Sequence, residues 1–491
     1  MGKVKSLIFS IFILILITIN NTDSQSKETK AIIRNKSEEI TKEKVKKMSE
    51  LKKKPNIICF FTDQQRWDTI GCYGQKLNVT PNIDKMASEG VLFKKAFTCQ
   101  PVCGPARACI QTGKYATENT VIDNGLPLPL NEKTIANWLS ETGYEVGYIG
   151  KWHLASNGKQ QDYRTKAIPP ERRGGYKDYW LAADVLEFTS HGYDGYLFDA
   201  DMNKVDFEGY RVDCLTDFTI DYLNTRNGEK PFFLFLSYLE PHHQNDRNRC
   251  EGPEGKAKEF ENYEVPEDLK DKEGNWKENY PDYLACCNSL DYNLGRIREE
   301  LKKLKIDDNT IIIYFADHGC HFETLNEGYK RTCHESSIRI PLIIYGPGFK
   351  GGKVVDDIVS LIDVPPTVLA SGGVEKPESM KGRPLQEIGS EKDPAWPKEA
   401  FIQISESHVG RALRTQKWKY CVTDPDKEGW RDAGSDRYYE DGLFDLEKDP
   451  FEKNNLVRVP ELLNVRKELA EILKKRMVQA GEKSPEILSA K

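Results

Sequence analysis

The chain has 491 residues, enough for about two to three domains around a sizeable buried core. It is 38% hydrophobic and 30% charged, with 22 Tyr, 20 Phe and 8 Trp, which excludes an intrinsically disordered chain. The net charge of −6 argues against a general nucleic-acid binder, so an anionic ligand would need cations placed locally.

The N-terminus reads Met-Gly-Lys-Val-Lys, then an apolar run over residues 7–19, then a polar exit. That layout is expected of a secretory signal peptide, here residues 1–26. The run falls short of the roughly 20 residues a membrane span needs, so no stable membrane association is expected. An uncleaved anchor is the alternative. No cysteine lies near its end, which argues against a lipid anchor. An exported protein, periplasmic or secreted, is the expectation. Residues 27–54 are rich in Lys and Glu and read as a charged linker or exposed helix.

From residue 55 the pattern becomes short apolar runs separated by helical periodicity. Residues 56–62, 144–150, 231–237, 310–316 and 340–345 read as strands buried on both faces, because their hydrophobicity is nearly continuous. Helical patterns over 133–142, 213–224 and 283–304 lie between them. This alternation predicts an α/β fold with a large, mostly parallel sheet sandwiched by helices. Residues 55–399 are read as the catalytic domain and 400–491 as a smaller α+β subdomain. In the latter, 401–405, 417–422 and 443–444 resemble antiparallel strands and 460–478 a closing helix. The 12 cysteines show neither a compact disulfide framework nor zinc-type pairing, and Cys286-Cys287 is expected to face a helix interior.

Ligands of open α/β sheets bind beyond the carboxyl ends of the strands. The residues following four of the apolar runs are Asp63-Gln64, Lys151-Trp152-His153, His242-His243 and Asp317-His318, all metal-ligand or acid–base types. Taken alone, Asp63 reads equally as a helix cap or turn residue, and Lys151-Trp152-His153 as a surface loop. Four such endings in one chain are unusual.

Cys103, Pro105 and Arg107 form C-x-P-x-R, with Thr112-Gly113 following. Taken alone, Cys103 is a buried thiol in a Pro-Gly turn. Together with GKWH at 150–153, Pro241-His242, Asp317-His318-Gly319 and the segment 442–456, it resembles the type I sulfatases of the alkaline-phosphatase-like superfamily. The resemblance implies that a maturation enzyme oxidises Cys103 to formylglycine (3-oxoalanine), whose hydrated aldehyde is the nucleophile. Ala106 stands where serine is frequent, a change the aerobic maturation motif tolerates. The resemblance further implies a divalent ion, calcium or alternatively magnesium, held by Asp63, Gln64, Asp317, His318 and the oxygen of the modified Cys103. Gln64 and His318 depart from the commoner Asp and Asn, and leave two carboxylates on the ion.

In the matched roles Asp317 assists deprotonation of the nucleophile, and Arg107 clamps its oxygen at a helix N-terminus. Lys151 neutralises a sulfate oxygen, His153 bonds the formylglycine hydroxyl, and His242 with Lys330 protonates the leaving group. His243 competes with His242 for that part. Arg331 and His334 read as supporting or specificity residues. His408, Arg411 and Arg414 are expected on a loop after the 401–405 strand, where they could meet a uronate or second sulfate. Pairing with acidic residues of the subdomain is the alternative. The implied activity is hydrolysis of a sulfated polysaccharide or oligosaccharide. Algal glycans such as ulvan, carrageenan or fucan come first, and glycosaminoglycans are the alternative. A phosphonate monoester or phosphodiester hydrolase of the same superfamily is the rival enzymatic reading.

Overall fold

The computed structural model describes residues 54–156, 161–390 and 396–490. The expected signal peptide and most of the charged linker lie outside the described residues. Among the described residues, no helix is long and apolar enough to cross a membrane.

The larger sheet has 11 strands among the described residues. They are β1 (Asn56–Asp63), β2 (Val91–Phe97), β3 (Glu145–Lys151), β4 (Tyr179–Ala183), β5 (Asp194–Asp199) and β6 (Lys204–Glu208). β7 (Phe232–Pro241), β8 (Thr310–Ala316), β9 (Arg339–Ile340), β10 (Leu342–Tyr345) and β11 (Lys353–Ser360) complete it. Their spatial order is β11-β2-β10-β8-β1-β7-β3-β4-β5-β6, with β9 beside β2. β8, β1, β7 and β3 are mutually parallel neighbours, so their carboxyl ends lie along one edge.

The continuous apolar runs make these central strands. All eight residues of β1 are buried. Ile57, Cys59 and Phe61 point to one side of the sheet, and Ile58 and Phe60 to the other, as strand alternation requires. The first side is covered by helix α1 (Cys103–Thr112). The second is covered by α2 (Arg211–Thr225) and the long α3 (Trp276–Lys303).

Two expectations need correction. The run 340–345 is not one parallel strand: it divides into β9 and β10, and β10 runs antiparallel to both β8 and β2. α3 begins seven residues before the expected 283, with Pro281 inside it.

The smaller sheet comprises β12 (Glu399–Ile404), β13 (Val409–Thr415), β14 (Trp418–Asp424), β15 (Arg437–Asp445) and β16 (Glu486–Leu488) in that order. β12 to β15 pair antiparallel, and β16 adds parallel to β15. Helix α4 (Leu463–Gln479) packs Leu469, Leu473 and Met477 with Phe401, Val409 and Leu413. These residues are continuous with the core on the α1 side of the large sheet. All 12 cysteines are free thiols, and Cys286 and Cys287 are buried on α3.

Candidate active site

The four central strand ends meet at the start of α1. Cys103 opens that helix, and its Sγ lies 3.3 Å from Asp63 Oδ1, 3.2 Å from His318 Nε2 and 2.7 Å from Lys330 Nζ. Asn124 Oδ1 accepts the Gly104 N–H at 2.8 Å, occupying one of the free amides of the first turn. Arg107, one turn along, donates to Asp63 Oδ2 at 2.9 Å, to Ser237 Oγ at 2.8 Å and to the Lys151 carbonyl at 2.7 Å. It thus acts on Cys103 through Asp63 and ties α1 to three strand ends.

Lys151 Nζ sits between Asp63 Oδ2 at 3.0 Å and Glu187 Oε1 at 3.1 Å, fully buried. Burial opposes its charge, but the two carboxylates prevail and hold its pKa above the ordinary value. The glycine before it has a packing reason. Gly150 has φ +103°, and a Cβ there would lie 2.0 Å from the Ser237 carbonyl of β7. Only glycine lets β3 approach β7 this closely.

Asp317 Oδ1 accepts the backbone N–H groups of Gln64 at 2.9 Å and of His318 at 2.8 Å. Gln64 reaches this position with φ +64°, an uncommon conformation for a residue with a side chain. The two acids share one charge unevenly. Burial and then the Asp63 carboxylate raise Asp317 to about 7. In Asp63, burial is outweighed by the charges of Lys151 and Arg107, which hold it well below the usual carboxylate range.

One ligand atom each from Asp63, Cys103, Asp317 and His318 lies within 4.8 Å of every other. Gln64 Oε1 and Asp317 Oδ2 are buried acceptors that no protein donor reaches. Gln64 Nε2 is turned away toward His243 Nδ1 at 3.2 Å, which leaves its oxygen to the cluster. His318 Nδ1 donates to the Gly319 carbonyl at 2.9 Å, so its Nε2 lone pair faces the same point. Orphaned oxygens, two acids and an oriented imidazole fit a divalent cation. The oxygen majority suits calcium or magnesium.

His242 and His243 lie across a cavity of about 460 Å³ with Cys103 in its lining. His242 Nδ1 donates to the His243 carbonyl at 2.6 Å, so Nε2 accepts from Lys330 Nζ at 3.2 Å. Burial and then Lys330 keep His242 well below the usual histidine pKa. His243 stacks on Tyr329 at 3.8 Å, and burial and then Lys330 lower it to about 3. His153, with φ +58°, also lines the cavity, and its buried Nδ1 has no protein partner.

The remaining residues are elsewhere. The loop expected to carry Arg411 and Arg414 is corrected to strand β13. Arg411 is buried, 2.9 Å from Glu482 and 2.6 Å from the Ala433 carbonyl. Arg414 is buried 3.0 Å from Glu335. His334 packs on Phe444, and His408 bonds Ser407 Oγ at 2.9 Å; neither lines the cavity. The small sheet reaches the cavity by another route. Glu406, just after β12, accepts from Arg331 Nε and from the Asn124 N–H, and so fixes two lining residues.

Sequence reasoning passed over Glu406, Asn124, Glu187 and Ser237, and no motif signals them. Arg411→Ala should cost about 1.5–3 kcal/mol, because it removes the charge-assisted bonds to Glu482 and leaves that carboxylate held by the Gln403 amide at 2.6 Å. Thermal melting should show that loss, with KM for any substrate unchanged.

A sequence model of the sulfatase family matches residues 55–374, and one described as N-sulphoglucosamine sulphohydrolase, C-terminal, matches 327–479. An N-acetylglucosamine-6-O-sulfatase of Bacteroides thetaiotaomicron is 28% identical, over 88% of this chain and 88% of its own length. An ulvan-active sulfatase of Formosa agariphila is 29% identical over 87% of this chain and 82% of its own. The uncharacterized sulfatase YidJ of Escherichia coli is 30% identical over 86% of each. Among solved structures, one in complex with its substrate D-glucosamine-2-N,6-O-disulfate has a TM-score of 0.73 at 26% identity, covering 87% of this chain and 98% of its own. A phosphonate monoester hydrolase of Agrobacterium radiobacter shares the fold, with a TM-score of 0.64 at 21% identity over 87% of this chain and 96% of its own.

Proposed function

Because the chain belongs to the sulfatase family, and is a sulfuric ester hydrolase by that membership, we propose that it removes sulfate from a sulfated oligosaccharide or polysaccharide. The supporting observation is the convergence of Asp63, Lys151, His242, Asp317 and Lys330 on Cys103, inside a cavity wide enough for a sugar. Ulvan-type glycans are the first candidate, supported by the ulvan-active relative. Hexosamine sulfates are the second, supported by the relative that acts on N-acetylglucosamine 6-sulfate. Residues 55–399 are taken as the catalytic domain and 400–491 as the supporting subdomain. The N-terminal pattern of residues 1–26 supports an exported protein.

We assign the chemistry to a formylglycine at Cys103, made by a maturation enzyme, which supplies a hydrated aldehyde as nucleophile. Asp63, Gln64, Asp317 and His318 would hold a divalent cation, which would supply Lewis acidity when bound. The chain's own residues do the rest. Asp317 is the base nearest the position of the nucleophile, one of the carboxylates clustered at Cys103. Lys151 and Lys330 place two ammonium groups where negative charge grows in the transition state. Arg107 keeps Asp63 and Lys151 in register. His153, its Nδ1 free in the cavity wall, bonds the spent nucleophile.

Proton delivery to the leaving oxygen falls to the Lys330–His242 pair. Burial keeps His242 neutral and it accepts from Lys330, so the pair holds one transferable proton across 3.2 Å. A sugar hydroxyl is a poor leaving group and needs that proton, whereas an activated phenol does not. His242→Ala should therefore reduce kcat on a sulfated oligosaccharide by about 10²-fold or more, with a much smaller loss on 4-nitrophenyl sulfate. Equal losses would move the acid role to Lys330 alone or to His243. The overall reading is tested by sulfate release from defined ulvan and hexosamine-sulfate oligosaccharides beside an aryl phosphodiester. Sulfate esters should be turned over fastest, and a faster phosphodiester would favour the rival class.

A further inference from the structure

Two adjacent residues of the cavity are left unused by this chemistry. Glu187 and Phe188 lie on the short helical turn Leu186–Thr189 that follows β4. The turn is firmly held. Asp184, just before it, accepts the backbone N–H groups of Leu154, Ala155 and Ser156 at 3.0, 3.0 and 2.8 Å.

The Glu187 side chain is buried, with Oε1 3.1 Å from Lys151 Nζ and 3.4 Å from Asn245 Nδ2. Its second oxygen, Oε2, is buried without any protein donor. A buried acceptor left unpaired is costly, and such atoms in folded proteins call for an explanation. Lys151 is the same ammonium that touches Asp63 at 3.0 Å, and Asp63 touches Cys103, so two side chains link Glu187 to Cys103. Phe188 is the opposite case, 45% exposed in the wall of the same cavity. Arg164 approaches its ring at 5.7 Å but is already paired with Asp162 through two bonds of 2.8 Å. An open aromatic face and a residue with an unpaired carboxylate oxygen thus line the same cavity as Cys103.

We propose that Glu187 and Phe188 form the subsite for the sugar ring that carries the scissile sulfate. Phe188 takes the apolar C–H face of the pyranose, and Glu187 Oε2 accepts a hydrogen bond from the free hydroxyl or amine nearest the sulfate. The inference rests on the sulfated-saccharide reading above. It adds an order of events. A second sulfate on that neighbouring position would face a buried carboxylate, so another sulfatase must clear it before this enzyme acts. Charge-assisted hydrogen bonds of this kind discriminate strongly between a substrate that donates and one that cannot.

The test compares steady-state rates on 4-nitrophenyl sulfate, methyl rhamnopyranoside 3-sulfate and methyl N-acetylglucosaminide 6-sulfate. Deoxy analogues of the two sugars, lacking the hydroxyl nearest the sulfate, complete the set. The wild type should prefer at least one hydroxylated sugar over its deoxy analogue by about ten-fold or more in kcat/KM. Glu187→Leu should abolish that preference, and Glu187→Gln, which keeps an acceptor, should restore part of it. Phe188→Ala, at an exposed position, should raise KM about ten-fold for the sugar while leaving the melting temperature at the wild-type value. Equal fractional losses on all substrates in the Glu187 variants would make Glu187 only a positioning residue for Lys151 and overturn the subsite. A wild type that cleaves 4-nitrophenyl sulfate but neither sugar would bring down the saccharide reading itself, and the subsite with it.

Discussion

Cys103→Ser should lower kcat by about 10⁴-fold or more while leaving the melting temperature close to that of the wild type. The size of the loss follows from the arrangement around Cys103. Lys330, His318 and Asp63 all reach its Sγ within 3.3 Å, so an ammonium, an imidazole and a carboxylate converge on the atoms this one side chain presents. As a thiol it is poorly suited to the work. Burial, and then the neighbouring Asp63 carboxylate, push it up to about 12, which leaves almost no thiolate at neutral pH. A serine would occupy the same space, but while it remains an alcohol its single hydroxyl cannot both attack sulfur and then expel the sulfate. Fold should survive because α1 keeps its packing through Ala106, Ala108 and Ile110. A variant with wild-type turnover would remove Cys103 from the chemistry.

Stripping divalent ions should be nearly as severe. Asp63 and Asp317 are both fully buried, and their charges are placed side by side at Cys103. Without a cation, Asp317 is held at about 7 and is only partly ionised at neutral pH. With the ion, both carboxylates are matched and the sulfuryl oxygens gain a Lewis acid worth several kcal/mol, or about 10³-fold in rate. Chelation followed by dialysis should therefore reduce activity by about 10³-fold, and calcium or magnesium should restore it. Asp317→Asn should lose more than Gln64→Ala, since in the proposed mechanism Asp317 would serve both the ion and the nucleophile while Gln64 would lend one neutral oxygen. Full activity in metal-free protein would contradict the site.

The parts of this arrangement that could be read in the sequence share one property: they are local. β1, β3, β7 and β8 declare themselves as unbroken apolar runs, and the residues that end them are the ones the parallel sheet brings to a common edge. Cys103 and Arg107 share one helical turn, which fixes their relation before any tertiary contact forms. What escaped depends on partners far along the chain. β13 holds Arg411 and Arg414 amid apolar residues, and their charges disguised a buried strand as a loop. Only Glu482 and Glu335, 71 and 79 residues away, neutralise them. Glu187 and Glu406 likewise carry no pattern of their own. Each matters through a residue on another element, Lys151 in one case and Arg331 in the other. The break between β9 and β10 falls at Pro341, whose missing N–H interrupts a run that hydrophobicity alone presents as continuous.

The most direct test is a tandem mass spectrum of the peptide containing Cys103, taken from protein that is releasing sulfate from a sulfated oligosaccharide. The expected result is an aldehyde in place of the thiol, in a fraction of molecules that tracks specific activity across preparations. Undiminished sulfate release from protein whose Cys103 is wholly unmodified would contradict the account.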